Sequence, residues 1–189
     1  MRKINLIAIG ASFGGIEVLR EVLAPMPPTM PPIVVVMHLQ PGIAKLYATR
    51  LDKTLNISAK EAVSGDVLSN GQMLIAPAGL HMRVVNRSGR LSVECFSGEK
   101  VEFVRPSADV LFESVAAELG SNALGVILTG IGRDGAQGLL KMRNAGAFTI
   151  GQNEKTCTVY GMPKVAKQIG AVDIELTPEE IAAKIISLV

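Results

Sequence analysis

Hydrophobic positions along the chain fall into short blocks that switch between two periods. Residues 4–9 are nearly all apolar, a glycine-rich turn follows, and residues 16–23 carry apolar side chains at helical spacing, which predicts a strand, a turn and a helix. The unit recurs. Residues 33–37 form a continuous apolar run rich in β-branched residues, and 43–55 resume helical spacing after Pro41-Gly42. Residues 72–76 predict another strand, after which 81–86 and 91–96 alternate around Arg87-Ser88-Gly89-Arg90, the pattern of an antiparallel hairpin. The chain then returns to helix 108–119, strand 123–128, helix 135–144, strand 148–150, helix 163–168, strand 171–174 and a last helix from Pro178 behind a Thr177 cap. Such alternation predicts an α/β fold: a doubly wound, mostly parallel sheet with an antiparallel β-hairpin, in three αβα layers. Its ligand crevice should lie outside the carboxyl ends of the strands.

Composition narrows the picture. Hydrophobic residues make up 48% of 189 positions and no linker, repeat or low-complexity stretch interrupts them, so a single domain over 1–189 is expected, with 25–32 an extended proline-dense connection. The longest apolar runs are far shorter than the roughly 20 residues that span a bilayer. The segment Met1-Arg2-Lys3-Ile4-Asn5 lacks the build of a signal peptide, so a cytoplasmic protein without membrane insertion is expected. The 19 basic and 17 acidic residues leave a net charge of +2 with no dense basic run, which offers no case for nucleic acid. Cys95 and Cys157 have no metal-binding spacing and read as structural thiols.

Candidate chemistry begins at Gly10-Ala11-Ser12-Phe13-Gly14, which fits G-x-S-x-G, a sharp strand-to-helix turn that lifts a serine hydroxyl clear of a sheet. The Phe13 backbone N–H, near the positive end of the following helix, would face a developing oxyanion. A phosphate cradle is the competing reading of the same turn, although the dinucleotide fingerprint fails because Ser12 stands at its second glycine. A serine nucleophile needs a base, and the chain has two histidines. His38 directly follows the strand 33–37 and so shares the edge that carries Ser12. His81 opens the hairpin and has no strand-end logic of its own. Asp134 ends the loop after strand 123–128 and could orient the imidazole, or it could simply cap the helix it precedes. The conjunction of Ser12, His38 and Asp134 at one predicted sheet edge favours a triad over three unrelated roles. His81 and Arg105 are further candidates to line the crevice, a structural ion pair being the plainer role for Arg105.

The segments Ile9-Gly10-Ala11-Ser12-Phe13-Gly14-Gly15, Met37-His38-Leu39-Gln40-Pro41-Gly42 and Leu128-Thr129-Gly130-Ile131-Gly132-Arg133-Asp134-Gly135-Ala136 resemble the catalytic domain of the chemotaxis methylesterase CheB. The likeness extends to Arg105-Pro106-Ser107-Ala108-Asp109 and Val159-Tyr160-Gly161-Met162-Pro163 and covers nearly the whole chain. It implies hydrolysis of glutamate methyl esters on methyl-accepting chemotaxis receptors with release of methanol, deamidation of receptor glutamines, no cofactor and no metal, and Ser12, His38 and Asp134 as the triad. Three departures stand out. Phe13 replaces the family's threonine and keeps only the backbone N–H. Ile131, a candidate for the substrate cleft, and Arg133 replace a methionine and an asparagine in the loop before Asp134. The receiver domain that normally precedes this one is not in the sequence. A serine esterase or amidase of other specificity, or a non-catalytic phosphate-binding or receptor-docking module, are the competing expectations.

Overall fold

A computed structural model describes residues 3–189. Met1 and Arg2, which entered the reading of the chain's start, lie outside the described residues. Seven strands make one parallel sheet: β1 (Leu6–Ala11), β2 (Ile33–Met37), β3 (Ser58–Glu61), β4 (Gln72–Ile75), β7 (Ala123–Ile127), β8 (Phe148–Gln152) and β9 (Ile174–Leu176). Their spatial order is β3-β4-β2-β1-β7-β8-β9, with every neighbouring pair parallel. Between β4 and β7, β5 (His81–Arg87) and β6 (Arg90–Phe96) form the antiparallel hairpin as a separate two-stranded sheet. The predicted doubly wound, three-layer architecture is the one observed.

The central strands are apolar on both faces because both faces are covered. Ile7, Ile9 and Ala11 of β1 and Ile33, Val35 and Met37 of β2 join one core, packed under α1 (Gly15–Leu23), α2 (Ile43–Thr54) and α6 (Pro178–Leu188). The intervening Leu6, Ala8, Val34 and Val36 join the other, under α3 (Ala108–Leu119), α4 (Ala136–Asn144) and α5 (Met162–Gln168). Full burial of each large aliphatic side chain contributes about 1.5–3 kcal/mol, so a polar substitution in β1 or β2 would damage a core whichever way it pointed.

Two strands depart from the expected pattern. β3 is an edge strand of sequence Ser-Ala-Lys-Glu in which only Ala59 is buried, too polar to register as a hydrophobic block. The last strand occupies Ile174–Leu176 rather than 171–174. Ala171 is instead fully buried and returns its N–H to the Ala166 carbonyl at 2.8 Å, while the Asp173 carboxylate takes the Thr149 N–H at 2.9 Å and delays pairing with β8 by a few residues.

Candidate active site

Strand register sets the distance between the first two candidate residues. Ala11 pairs with Met37 in the last rung of the β1–β2 ladder, and His38 N–H extends it to the Ala11 carbonyl at 3.2 Å. Ser12 and His38 therefore face each other one step beyond the strand ends. On the other side of β1, Leu128 N–H bonds the Gly10 carbonyl at 2.9 Å and Ser12 N–H bonds the Thr129 carbonyl at 3.0 Å, which lays the loop leading to Asp134 along the same edge. The chain turns into α1 through Gly14, whose φ of 81° is the left-handed conformation glycine accepts freely. Phe13 N–H, in the turn just before that helix, has no acceptor among the described residues.

The Asp134 carboxylate is almost fully buried and accepts from four directions. His38 Nε2 lies 2.8 Å from Oδ2, Ser107 Oγ donates to Oδ1 at 2.6 Å, and the backbone N–H groups of Ala108 and Asp109 donate at 2.6 and 3.2 Å. Burial alone would raise this carboxyl, but the hydrogen bonds from His38, Ser107 and Ala108 outweigh it and hold it below the usual carboxylate range. It stays ionised beside the imidazole. With Nε2 committed to Asp134, Nδ1 is the ring nitrogen left to serve Ser12. Among the described residues the half-buried Ser12 hydroxyl makes no hydrogen bond to His38, so the structure joins His38 to Asp134 directly and Ser12 only through the register.

Asp134 also answers the capping alternative. It does not cap the helix it precedes: that end is formed by Gly135, with φ 89° and no side-chain cap. It sits instead on the N-terminus of α3, where orphan N–H groups and the helix dipole favour a negative charge. The relation is reciprocal. Asp109, in the first turn of α3, is 5% exposed and accepts from Gly138 N–H at 2.6 Å in the first turn of α4. Each helix thus receives a carboxylate from the other's beginning. Burial pushes the Asp109 carboxyl up to about 6; backbone hydrogen bonds from Gly138 and Gly135 oppose that rise, and Asp134 and Glu113 add to it.

Sequence reasoning missed Ser107 and Asp109 as members of this cluster. Ser107-Ala108-Asp109 is visible as a helix start, and Ser107 does accept from Val110 N–H, but no local signal marks a partner more than twenty residues away. His81 is 2% exposed with both nitrogens committed: Nδ1 accepts from Ser107 N–H at 3.2 Å and Nε2 donates to the Glu99 carbonyl at 2.8 Å. It stands behind Ser107 rather than on an open surface. Arg105 makes no ion pair among the described residues and donates instead to the Gly98 carbonyl, so the ion-pair role expected for it is not the one it takes. Ile131 is 61% exposed on the rim, and Arg133 Nε reaches Glu102 at 2.6 Å.

The fold and site together define a three-layer α/β domain that gathers a serine, a histidine and an aspartate at the carboxyl edge of a parallel sheet. The family model for the CheB methylesterase matches residues 7–185, and the chain belongs to that family. It is 49% identical over 184 residues to a protein-glutamate methylesterase/protein-glutamine glutaminase of Sulfurimonas denitrificans, covering 97% of this chain and 52% of the relative. A protein of that description from Syntrophus aciditrophicus is 50% identical over 186 residues, covering 98% and 54%. The chain therefore spans about half the length of these relatives. The crystal structure of the Thermotoga maritima CheB methylesterase catalytic domain superposes with a TM-score of 0.96 at 34% identity, covering 99% of this chain and all of that one. Among the described residues no helix is long and apolar enough to cross a membrane.

Proposed function

We propose that this chain hydrolyses glutamate methyl esters on methyl-accepting chemotaxis receptors, releasing methanol, and that it deamidates receptor glutamines by the same route. The observation that carries the reading is the buried His38–Asp134 hydrogen bond of 2.8 Å, set opposite Ser12 at the sheet edge of a chain in the CheB methylesterase family. Relatives that share about half of this chain's residues are named for both activities.

In this mechanism Ser12 Oγ attacks the ester carbonyl while His38 Nδ1 takes its proton. Asp134 holds the proton on Nε2 and stabilises the imidazolium without itself becoming protonated, in keeping with its depressed carboxyl. The Phe13 N–H receives the charge that develops on the carbonyl oxygen. Collapse of the tetrahedral species breaks the acyl carbon–methoxy bond, and the proton on Nδ1 passes to the departing oxygen as methanol leaves. Water, deprotonated by His38, then attacks the acyl-serine, freeing glutamate and restoring the Ser12 hydroxyl. A glutamine amide enters the same sequence and loses ammonia.

Methanol release from a methylated receptor cytoplasmic domain, compared between the wild type and Ser12→Ala, tests the reading. Rapid release that disappears in the variant is expected. Equal rates would remove Ser12 from the mechanism, and a clear preference for generic small esters would remove the receptor as substrate.

A further inference from the structure

Three large apolar side chains stand in solvent on segments that carry site residues or are tied to one that does: Phe103 is 88% exposed, Ile131 61% and Phe13 58%. Single exposed hydrophobics are ordinary, but a group of them bordering one edge marks a contact surface. Phe13 follows Ser12 in the chain. Ile131 follows Gly130, where a Cβ would lie 2.7 Å from the Ser12 Cβ. The turn bearing Phe103 is tied to the loop that carries Asp134 through its neighbour, because Glu102 pairs with Arg133, the residue before Asp134, at 2.6 Å.

The way Phe103 is presented is unusual. Val101 and Val104 exchange two backbone hydrogen bonds, Val101 N–H to the Val104 carbonyl at 3.1 Å and Val104 N–H to the Val101 carbonyl at 3.0 Å. The two residues between them, Glu102 at φ 49° and Phe103 at φ 66°, both lie in the left-handed region. Two such residues in a two-residue loop are the signature of a type I′ turn, which favours Asn-Gly and disfavours a bulky side chain. Here a glutamate and a phenylalanine occupy it. The ring gains no core contact in return, and residues held against their conformational preference concentrate at functional sites. The Glu102–Arg133 pair fastens the turn to the loop that carries Asp134.

We infer that Phe103, supported by Phe13 and Ile131, is the apolar anchor by which this enzyme grips the polypeptide surface surrounding the modified glutamate. The inference rests on the reading that the substrate is a protein, and it adds where that protein is held. The occupant follows from continuity: whatever brings a side-chain ester to Ser12 must pass over Phe13 and the Gly130–Ile131 loop, and the Glu102–Arg133 pair ties the turn bearing Phe103 to that same loop. A receptor segment with apolar side chains beside the modified residue would cover the rim, and aromatic anchors of this kind carry a large share of interface energy.

Phe103→Asn and Phe103→Tyr test this, read by methanol release from a methylated receptor cytoplasmic domain, hydrolysis of p-nitrophenyl acetate and thermal unfolding. Asparagine suits the left-handed region, so Phe103→Asn should unfold no earlier than the wild type. Its KM for the receptor should rise about tenfold, and the ratio of receptor to p-nitrophenyl acetate kcat/KM should fall by the same factor. Phe103→Tyr, which keeps the ring, should retain the wild-type KM. An unaltered receptor KM in Phe103→Asn, or an equal rise in both variants, overturns the inference. A wild type that hydrolyses p-nitrophenyl acetate but releases no methanol from the receptor overturns the protein-substrate reading on which it stands.

Discussion

His38 Nε2 lies 2.8 Å from Asp134 Oδ2, and the same carboxylate holds Ser107 Oγ and two backbone N–H groups at the beginning of α3. One side chain thereby orients the imidazole and fastens a helix. Asp134→Ala should orphan the buried donors on α3 and destabilise the domain by about 2–4 kcal/mol in chemical denaturation. Asp134→Asn keeps one acceptor oxygen for the Ser107 and Asp109 donors and should cost less stability, yet methanol release should fall by about three orders of magnitude because its NH2 group, facing Nε2, donates to that nitrogen and leaves the ring proton on Nδ1. Near-normal turnover in Asp134→Asn would contradict the assigned role.

The two carboxylates of the reciprocal pair should shape the pH dependence of stability in opposite senses. Asp109, raised from 3.8 to about 6 in the folded state, binds a proton more tightly folded than unfolded. Its contribution is fully present below the unfolded pKa near 4 and is lost as pH rises through the folded value. Asp134, depressed in the folded state, contributes stability that is present above the unfolded pKa and lost as pH falls through its folded value. The stability of Asp109→Asn minus that of the wild type should therefore climb between about pH 4 and 6, by on the order of 2 kcal/mol, and level off above. Urea denaturation across that range measures it; a flat difference would contradict the raised carboxyl.

The approach of α3 and α4 that makes this pairing possible leaves no room at Gly138. A Cβ there would lie 2.7 Å from the Asp109 carbonyl oxygen, 2.8 Å from the Phe112 Cβ and 2.9 Å from the Asp109 Cα. Gly138→Ala should separate the helices, cost about 1–3 kcal/mol and lower methanol release through the displaced Asp134. Thermal unfolding and turnover check both effects, and an unchanged melting temperature would show that the contact yields cheaply.

The positions of Ser12 and His38 are legible in the sequence because each directly follows a strand buried on both faces, and a doubly wound sheet sends all such ends to one edge. The environment of Asp134 is not legible. The local rule that a carboxylate before a helix caps that helix points to α4, whereas packing delivers Asp134 to α3 and leaves Gly135 to begin α4. Ser107 and Asp109 escape notice for the same reason, since their partners come from a distant segment and no spacing encodes the crossing. β3 escapes because Ser58 and Lys60 face solvent and one buried alanine makes no pattern. Phe103 escapes because nothing in Val101-Glu102-Phe103-Val104 announces a turn that normally asks for glycine.

The central claim is that Ser12 is a nucleophile activated by the His38–Asp134 pair, and covalent labelling tests it most directly. Incubation with a fluorophosphonate followed by peptide mass spectrometry should place one adduct on Ser12, and the labelling should collapse in His38→Ala. A protein left unlabelled, or one labelled equally in His38→Ala, would contradict the account.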